Sequence, residues 1–198
     1  MLVKRFRKRF HKNSIASQFL KILATTGLIL VAASSPFFAV DLIRGLKRYR
    51  NKEKWRKFYH SLNYLNRRGY VKLTEKENGD LEARLTRQGE IMIEHINFDE
   101  LKLPKPGAWD GKWRLVIFDI PTDKHKNRQA LAEKLKELGF IMVQKSVWAY
   151  PFECYKELAI VRKFYEVERY VTYFEAVEIE DELHWRGKFN LGPGARLA

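Results

Sequence analysis

Residues 51–85 read NKEKWRKFYHSLNYLNRRGYVKLTEKENGDLEARL, a helical pattern that leads directly into two strand-like segments. Asn51 suits the N-cap of a helix and Gly69 suits its C-terminal stop, so a helix is predicted over residues 51–68. Its apolar residues have the spacing of a single helix face: Trp55, Phe58, Leu62 and Leu65. Such a helix packs this seam on a core and leaves the opposite face in solvent.

A β-hairpin is predicted immediately after this helix. Residues 70–75 and 81–85 are short strand-like runs, and the Asn78-Gly79 pair between them is a strong hairpin-turn signal. Thr86 then suits the N-cap of a further helix over residues 87–96.

The chain upstream adds two predicted helices and leaves a second interpretation open. Residues 14–33 are predicted to form a buried helix, and residues 37–46 a short second helix. A basic N-terminal arm, residues 1–13, precedes an uncharged run over residues 22–40, and membrane anchors and export signals begin in the same way. A membrane segment within residues 1–40 is therefore the alternative to a buried helix.

Three helices followed by a hairpin is the order of a winged helix-turn-helix domain, which is predicted over residues 14–96 as a DNA-binding domain. In that fold the helix before the hairpin enters the major groove. The alternative is a helical domain with an accessory hairpin and a solvated basic face. Base-reading candidates on the exposed helix face are Arg56, Tyr59, His60 and Asn63. Phosphate-binding candidates are Lys52, Lys54, Lys57, Lys76 and Arg84.

The distribution of charge favours the nucleic-acid interpretation. The 198 residues carry 38 Lys+Arg and 24 Asp+Glu, a formal net charge of +14. Residues 1–96 hold 21 of the cations and 8 of the acids, or +13, whereas residues 97–198 hold 17 and 16, or +1. A field concentrated on one half of a chain favours a polyanionic partner, and double-stranded DNA is the partner expected.

The second half predicts a different domain. Residues 97–108 contain Pro104 and Pro106 and are predicted as a linker. Strand and helix patterns then alternate over residues 114–120, 124–138, 140–143, 146–150, 153–164 and 171–179. This βαββαβ order predicts a ferredoxin-like domain over residues 109–182, which is expected to pair as a homodimer through its open sheet face or edge. Residues 183–198 are predicted to form a C-terminal tail, of which residues 187–198 are expected to be mobile. The predicted fold class is therefore α+β.

The second half also resembles a known family. Residues 110–121 read DGKWRLVIFDIP and are followed by a basic helix, by Leu138-Gly139-Phe140 and by Lys145-Ser146-Val147-Trp148. This run resembles the C-terminal domain of the PaaX-type repressor family, named for phenylacetic acid degradation. That domain is in turn similar to the ferredoxin-like nuclease subunit of the CRISPR adaptation complex. Leu62, Leu65 and Gly69-Tyr70-Val71 extend the resemblance to about residues 15–180.

Two functions follow from the residues and the resemblance together. In the first, the protein is a homodimeric DNA-binding transcriptional regulator of the repressor type that places one winged helix on each half-site. It then needs no cofactor and is not an enzyme. In the second, it is a metal-dependent endonuclease in which Asp119 at the dimer axis holds Mg²⁺ or Mn²⁺. An Asp before a proline at a strand end is more often a turn residue, so a structural role and a metal-binding role are both open for Asp119.

The single Cys154 excludes an intramolecular disulfide and thiolate zinc sites. A reducing compartment, the cytoplasm, is therefore expected. The five histidines lie at no ligand-like spacing and are expected to be surface or packing residues. Three tryptophans are expected in the core or at the dimer interface rather than around a ligand: Trp109, Trp113 and Trp148.

Overall fold

The computed structural model describes residues 14–31, 52–77, 79–105 and 108–192. The basic arm and the helix predicted over residues 37–46 lie outside these ranges. The chain divides into two compact units, residues 1–100 and residues 101–198.

Unit 1 consists of helices and one antiparallel three-stranded sheet. Its elements are α1 (Ile15–Thr26), β1 (Leu28–Val31), α2 (Lys52–Arg67), β2 (Val71–Glu75), β3 (Leu81–Leu85) and α3 (Arg87–Asp99). The sheet order is β1-β3-β2. The predicted helix and hairpin of residues 51–85 are therefore present, and α3 extends three residues beyond its predicted end.

The helix predicted over residues 14–33 is wrong for residues 27–31, and residues 32–33 lie outside the described ranges. The helix ends at Thr26, because Gly27 takes a left-handed φ of 77° and its N–H donates to the carbonyl of Leu23 at 2.8 Å. Leu28–Val31 is a strand that pairs with β3, with Ile29 opposite Ala83. An apolar run after a glycine can form either element, and here a neighbouring strand edge supplies the hydrogen bonds.

The core of unit 1 lies between its helices and the inner face of its sheet. The rings of Phe19 on α1 and Phe58 on α2 meet edge to face with centroids 5.6 Å apart. The three helices that the structure describes contribute further buried side chains to this core: Leu20, Leu23, Leu62, Leu65, Met92, Ile93 and Ile96. Burial of these side chains sets the rotation of α2 about its axis.

The first turn of α3 is joined closely to the turn between α2 and β2. The hydroxyl of Thr86 donates to the carbonyl of Gly69 at 2.5 Å and accepts from the N–H of Gly89 at 3.1 Å. The Thr86 N–H also donates to the carbonyl of Tyr70. The predicted cap at Thr86 is confirmed, and the same residue also hydrogen-bonds to the two carbonyl groups that follow the end of α2.

Unit 2 contains a four-stranded sheet in which all neighbouring strands are antiparallel. Its elements are β4 (Trp113–Phe118), α4 (His125–Leu138), β5 (Ile141–Gln144), β6 (Val147–Tyr150), α5 (Tyr155–Phe164), β7 (Val171–Ala176) and α6 (Glu182–Phe189). The sheet order is β5-β6-β4-β7. This topology is compatible with the predicted ferredoxin-like domain, and the whole chain is of mixed α+β class.

The predicted C-terminal tail begins with a helix, and the mobility expected for residues 187–198 is wrong for residues 187–189. Helix α6 occupies Glu182–Phe189 and packs on the beginning of the domain. The ring of Phe189 lies 5.9 Å from that of Trp113, and the guanidinium of Arg186 stacks 4.7 Å above Trp109. Aromatic side chains distant in sequence thus provide the surface on which this helix packs.

Across the described ranges, no helix combines the length and apolar character needed to cross a membrane.

Replacing Gly89 with alanine is expected to destabilise the protein by about 1–3 kcal/mol. A Cβ at this position would lie 2.1 Å from the backbone carbonyl oxygen of Tyr70, so the α3–β2 junction would have to open. Gly187→Ala is the matched control, because Gly187 is also helical and has nothing within 4 Å of its added Cβ. Thermal unfolding of the two variants measures the difference. Equal stabilities would contradict a closely packed junction.

Candidate nucleic-acid interface

Helix α2 has one buried face and one polar face. Phe58, Leu62 and Leu65 are at most 1% exposed and pack into the core of unit 1. At 3.6 residues per turn, positions 56, 60, 63 and 67 lie on the side of the helix opposite this seam. They carry exposed polar side chains in a row: Arg56, His60, Asn63 and Arg67.

This row contains three of the base-reading candidates predicted from the sequence. Arg56, His60 and Asn63 are all exposed, and Arg67 extends the row toward the hairpin. Tyr59 differs, because it lies to one side of the row, is half-buried and packs edge to face on Phe58 with centroids 6.3 Å apart.

The phosphate-binding candidates lie around this row and on the hairpin. Lys57 is exposed on the flank of α2 opposite Tyr59. Lys52 and Lys54 belong to the first turn of α2, and their side chains lie outside the described part of the structure. Lys76 and Arg84 are on the hairpin, with side chains 50% and 63% exposed.

The outer face of the hairpin carries a further cation that sequence reasoning missed. Lys72 on β2 lies directly opposite Arg84 on β3 and is exposed. Paired positions in an antiparallel ladder share one face, so both side chains lie on the side away from the core residues Val71 and Ala83. The alternation of apolar and polar residues along β2 is the signal that could have identified Lys72.

Glu82 lies among these cations and interacts with two of them. Its Oε2 is 2.7 Å from the Nζ of Lys76, and its Oε1 accepts a hydrogen bond from the Nε of Arg84. These two hydrogen bonds lower the pKa of Glu82 below its usual range, and the bond from Lys76 has the larger effect on it. The Glu82 carboxylate is therefore ionised at neutral pH, and the surrounding surface has two paired cations and an exposed lysine beside them.

The residues that carry the family resemblance in unit 2 are largely used in packing. Arg114 is buried, and its two terminal nitrogens donate to the two carboxylate oxygens of Asp110 at 2.6 Å each. Arg114 also donates to the carbonyls of Lys112 and Pro151. The hydrogen bond from Arg114 holds the pKa of Asp110 below its usual value.

Asp119 is exposed beyond the end of β4, and its backbone N–H donates to the carbonyl of Tyr170 at 3.0 Å. Asp110 lies before the start of the same six-residue strand. The strand between them spans about 16 Å at roughly 3.3 Å per residue, so the two acids lie at opposite ends of it, too far apart to share a metal ion within one subunit. Among the residues that the structure describes, no three His, Cys, Asp or Glu side chains group to hold a metal. A metal-binding or catalytic role for Asp119 stays a prediction.

Cys154 and three of the five tryptophans lie in the interior of unit 2. Cys154 is fully buried, and burial raises the pKa of its thiol to about 12, so the thiol is protonated at neutral pH. Trp109, Trp113 and Trp148 are at most 6% exposed. Trp109 donates its indole N–H to the carbonyl of Lys112 at 2.9 Å.

Comparison with known proteins finds a family match within the second unit. Residues 106–186 match the domain described as the PaaX protein central Cas2-like domain, which confirms the resemblance drawn from residues 110–148. The solved structure of the uncharacterized protein Rv0674 from Mycobacterium tuberculosis aligns with a TM-score of 0.40 and 18% identity. The alignment covers 86% of this chain and 63% of that one, so the chain spans less than two thirds of that protein's length. No curated protein gives a significant match.

Substitution of Asp110 by asparagine is expected to destabilise the protein by about 1–3 kcal/mol at neutral pH, because the buried Arg114 loses its charged acceptor. The folded-state pKa of Asp110 is lowered, so its contribution is present above the pKa of the unfolded carboxyl and is lost as pH falls through the folded pKa. The difference in stability between wild type and variant should therefore shrink in acid. Chemical denaturation at neutral and acid pH measures it, with the exposed Glu133→Gln as the control that should change little.

Proposed function

Because its second unit matches the PaaX family, we propose that the protein is a DNA-binding transcriptional regulator of the repressor type. In this proposal unit 1 is a winged helix-turn-helix domain in which α2 lies in the major groove and the β2–β3 hairpin contacts the backbone. The protein acts on double-stranded DNA as a homodimer, in the cytoplasm. Its activity requires neither a metal ion nor another cofactor.

The observation that carries the proposal is the row of exposed polar residues on α2. Arg56, His60 and Asn63 lie opposite the buried seam. Because the seam packs on the core of unit 1, α2 would present these three side chains together to the major groove of DNA. Arg pairs with guanine, and Asn with adenine, through two hydrogen bonds each. The hairpin that follows α2 adds the exposed cations Lys72, Lys76 and Arg84, and phosphate contacts from such residues fix the register of a helix in the groove.

The topology of unit 1 supports the same proposal. A strand after the first helix pairs with the second strand of the hairpin, which gives the sheet order β1-β3-β2. This sheet holds the hairpin against the helical core, so the hairpin and α2 keep a constant relation. A charge of +13 over residues 1–96 supplies the long-range attraction to DNA.

The open face of the sheet in unit 2 supports the homodimer. Leu115 on β4 pairs with Phe174 on β7, and Ile117 pairs with Val147 on β6, so these four apolar side chains share one face. Phe174 is 48% exposed and Ile117 is 38% exposed. An apolar face on a central sheet is suited to an isologous contact with the same face of a second copy.

Alanine substitution of Arg56 together with His60 is expected to reduce affinity for the protein's own promoter region by roughly 10-fold or more, since each base contact contributes about 1–3 kcal/mol. Lys136→Ala removes an exposed cation from a helix of unit 2 and is the control for loss of charge alone. Fluorescence anisotropy with promoter and random duplexes separates specific from non-specific binding. If the double variant bound the promoter as tightly as wild type, α2 would not be the recognition helix.

The dimer is tested by placing a charge on the open face. Phe174→Glu is expected to yield a monomer by analytical ultracentrifugation, with reduced promoter affinity, because burial of a carboxylate in an apolar contact is unfavourable. Ile160 on α5 is 49% exposed, so Ile160→Glu is a control of matched exposure on another surface and should leave the dimer intact. A Phe174→Glu protein that stays dimeric would place the interface elsewhere.

A further inference from the structure

Glu82 is an acidic residue in the middle of a surface that the proposed function assigns to phosphate binding. The residue is 7% exposed, whereas the side chains of its partners Lys76 and Arg84 are half exposed or more. The carboxylate therefore lies beneath the two cations, which remain accessible to solvent.

We propose that Glu82 is a positioning residue that holds Lys76 and Arg84 together as a two-cation clamp for one phosphate of the DNA backbone. The proposal rests on the proposed function and adds a residue whose own charge repels DNA. Its role is to fix the geometry of the two phosphate ligands before DNA arrives.

The hydrogen bonds of the clamp leave donors for a phosphate. Arg84 uses Nε toward Glu82. A guanidinium has five N–H donors and an ammonium has three, so each cation keeps donors beyond those that it gives to the carboxylate. A phosphate oxygen that approaches from solvent can therefore be bound without breaking either pair with Glu82.

Pairing with Glu82 also reduces the entropy that DNA binding has to remove. Long side chains such as lysine and arginine lose rotamer freedom when they bind a partner, and this loss opposes association. In the free protein Lys76, which directly follows β2, and Arg84 on β3 are already held by one buried carboxylate on the same β2–β3 hairpin. Much of the ordering has thus taken place before the encounter.

Glu82 further balances repulsion on the outer face. Lys72 and Arg84 are direct cross-strand neighbours, and like charges in such positions destabilise a hairpin. With one carboxylate against three cations, the face keeps a net positive charge. It therefore attracts phosphate while its own cations remain close together.

The opposite role would be an electrostatic brake, in which Glu82 competes with DNA for the two cations. The two roles predict opposite effects when the carboxylate is neutralised. If Glu82 is a brake, neutralising it gives tighter DNA binding. If Glu82 is a positioning residue, neutralising it gives weaker DNA binding even though a negative charge has been removed. The sign of the change in affinity decides between them.

The test compares Glu82→Gln with wild type by fluorescence anisotropy on a short random duplex and on a duplex from the protein's own promoter region. Affinity is expected to fall by roughly fivefold to tenfold on both, because phosphate contacts carry no sequence information. Glu77→Gln removes the same charge from an exposed position in the hairpin turn and is expected to bind equally or more tightly. Tighter binding by Glu82→Gln would overturn the proposal.

Two further variants separate positioning from a loss of structure. Glu82→Asp keeps the charge but withdraws the carboxylate by one methylene, so it should also bind more weakly while circular dichroism shows a folded protein; wild-type affinity would contradict the proposal. In a Lys76→Gln, Arg84→Gln background, Glu82→Gln should no longer weaken binding, and a loss equal to that in wild type would overturn the clamp. A wild-type protein that binds neither duplex would contradict the proposed function as well, whereas the other adverse results concern Glu82 alone.

Discussion

The close contact between the start of α3 and the carbonyl groups at the end of α2 is the constraint on which unit 1 depends. Gly69 ends α2 with a φ of 72°, and the next carbonyl, that of Tyr70, receives the N–H of Thr86. Gly89 must lack a side chain for α3 to approach this carbonyl. One junction thus fixes the end of α2, the first residue of the hairpin and the beginning of α3 relative to one another.

This constraint connects the fold to recognition. Burial of Phe58, Leu62 and Leu65 sets which face of α2 points outward, and the junction sets where the hairpin begins relative to that face. A base-reading row and a phosphate-binding surface are useful together only when their separation is fixed, because an error in register moves every contact. In the proposed function, the uncharged junction therefore determines how the charged residues would contact DNA.

The parts of this arrangement that were predictable from the sequence have local signals. The seam of α2, the stop at Gly69 and the cap at Thr86 each depend on residues within a few positions of one another. The strand Leu28–Val31 and the helix Glu182–Phe189 were missed because their partners, β3 and the tryptophans around β4, lie far away in the chain. The pairing of Glu82 with its two cations was missed for a different reason, since these residues are close in sequence but their side-chain positions depend on the folded hairpin.

The residues that identify the family and the residues that suit DNA binding lie in different units, which bears on how far the family resemblance extends to function. Within residues 110–121, Asp110 and Arg114 form a structural pair and Trp113 is fully buried, so most of that run specifies the fold. Asp119 is exposed, but Asp110, the other acid of that run, is committed to its arginine at the far end of the strand. A shared fold does not by itself carry metal-dependent chemistry from one protein to another, and a metal-binding role for Asp119 stays a prediction. The excess charge, the exposed polar row and the two-cation surface all belong to unit 1, and they favour binding by that unit over catalysis by unit 2.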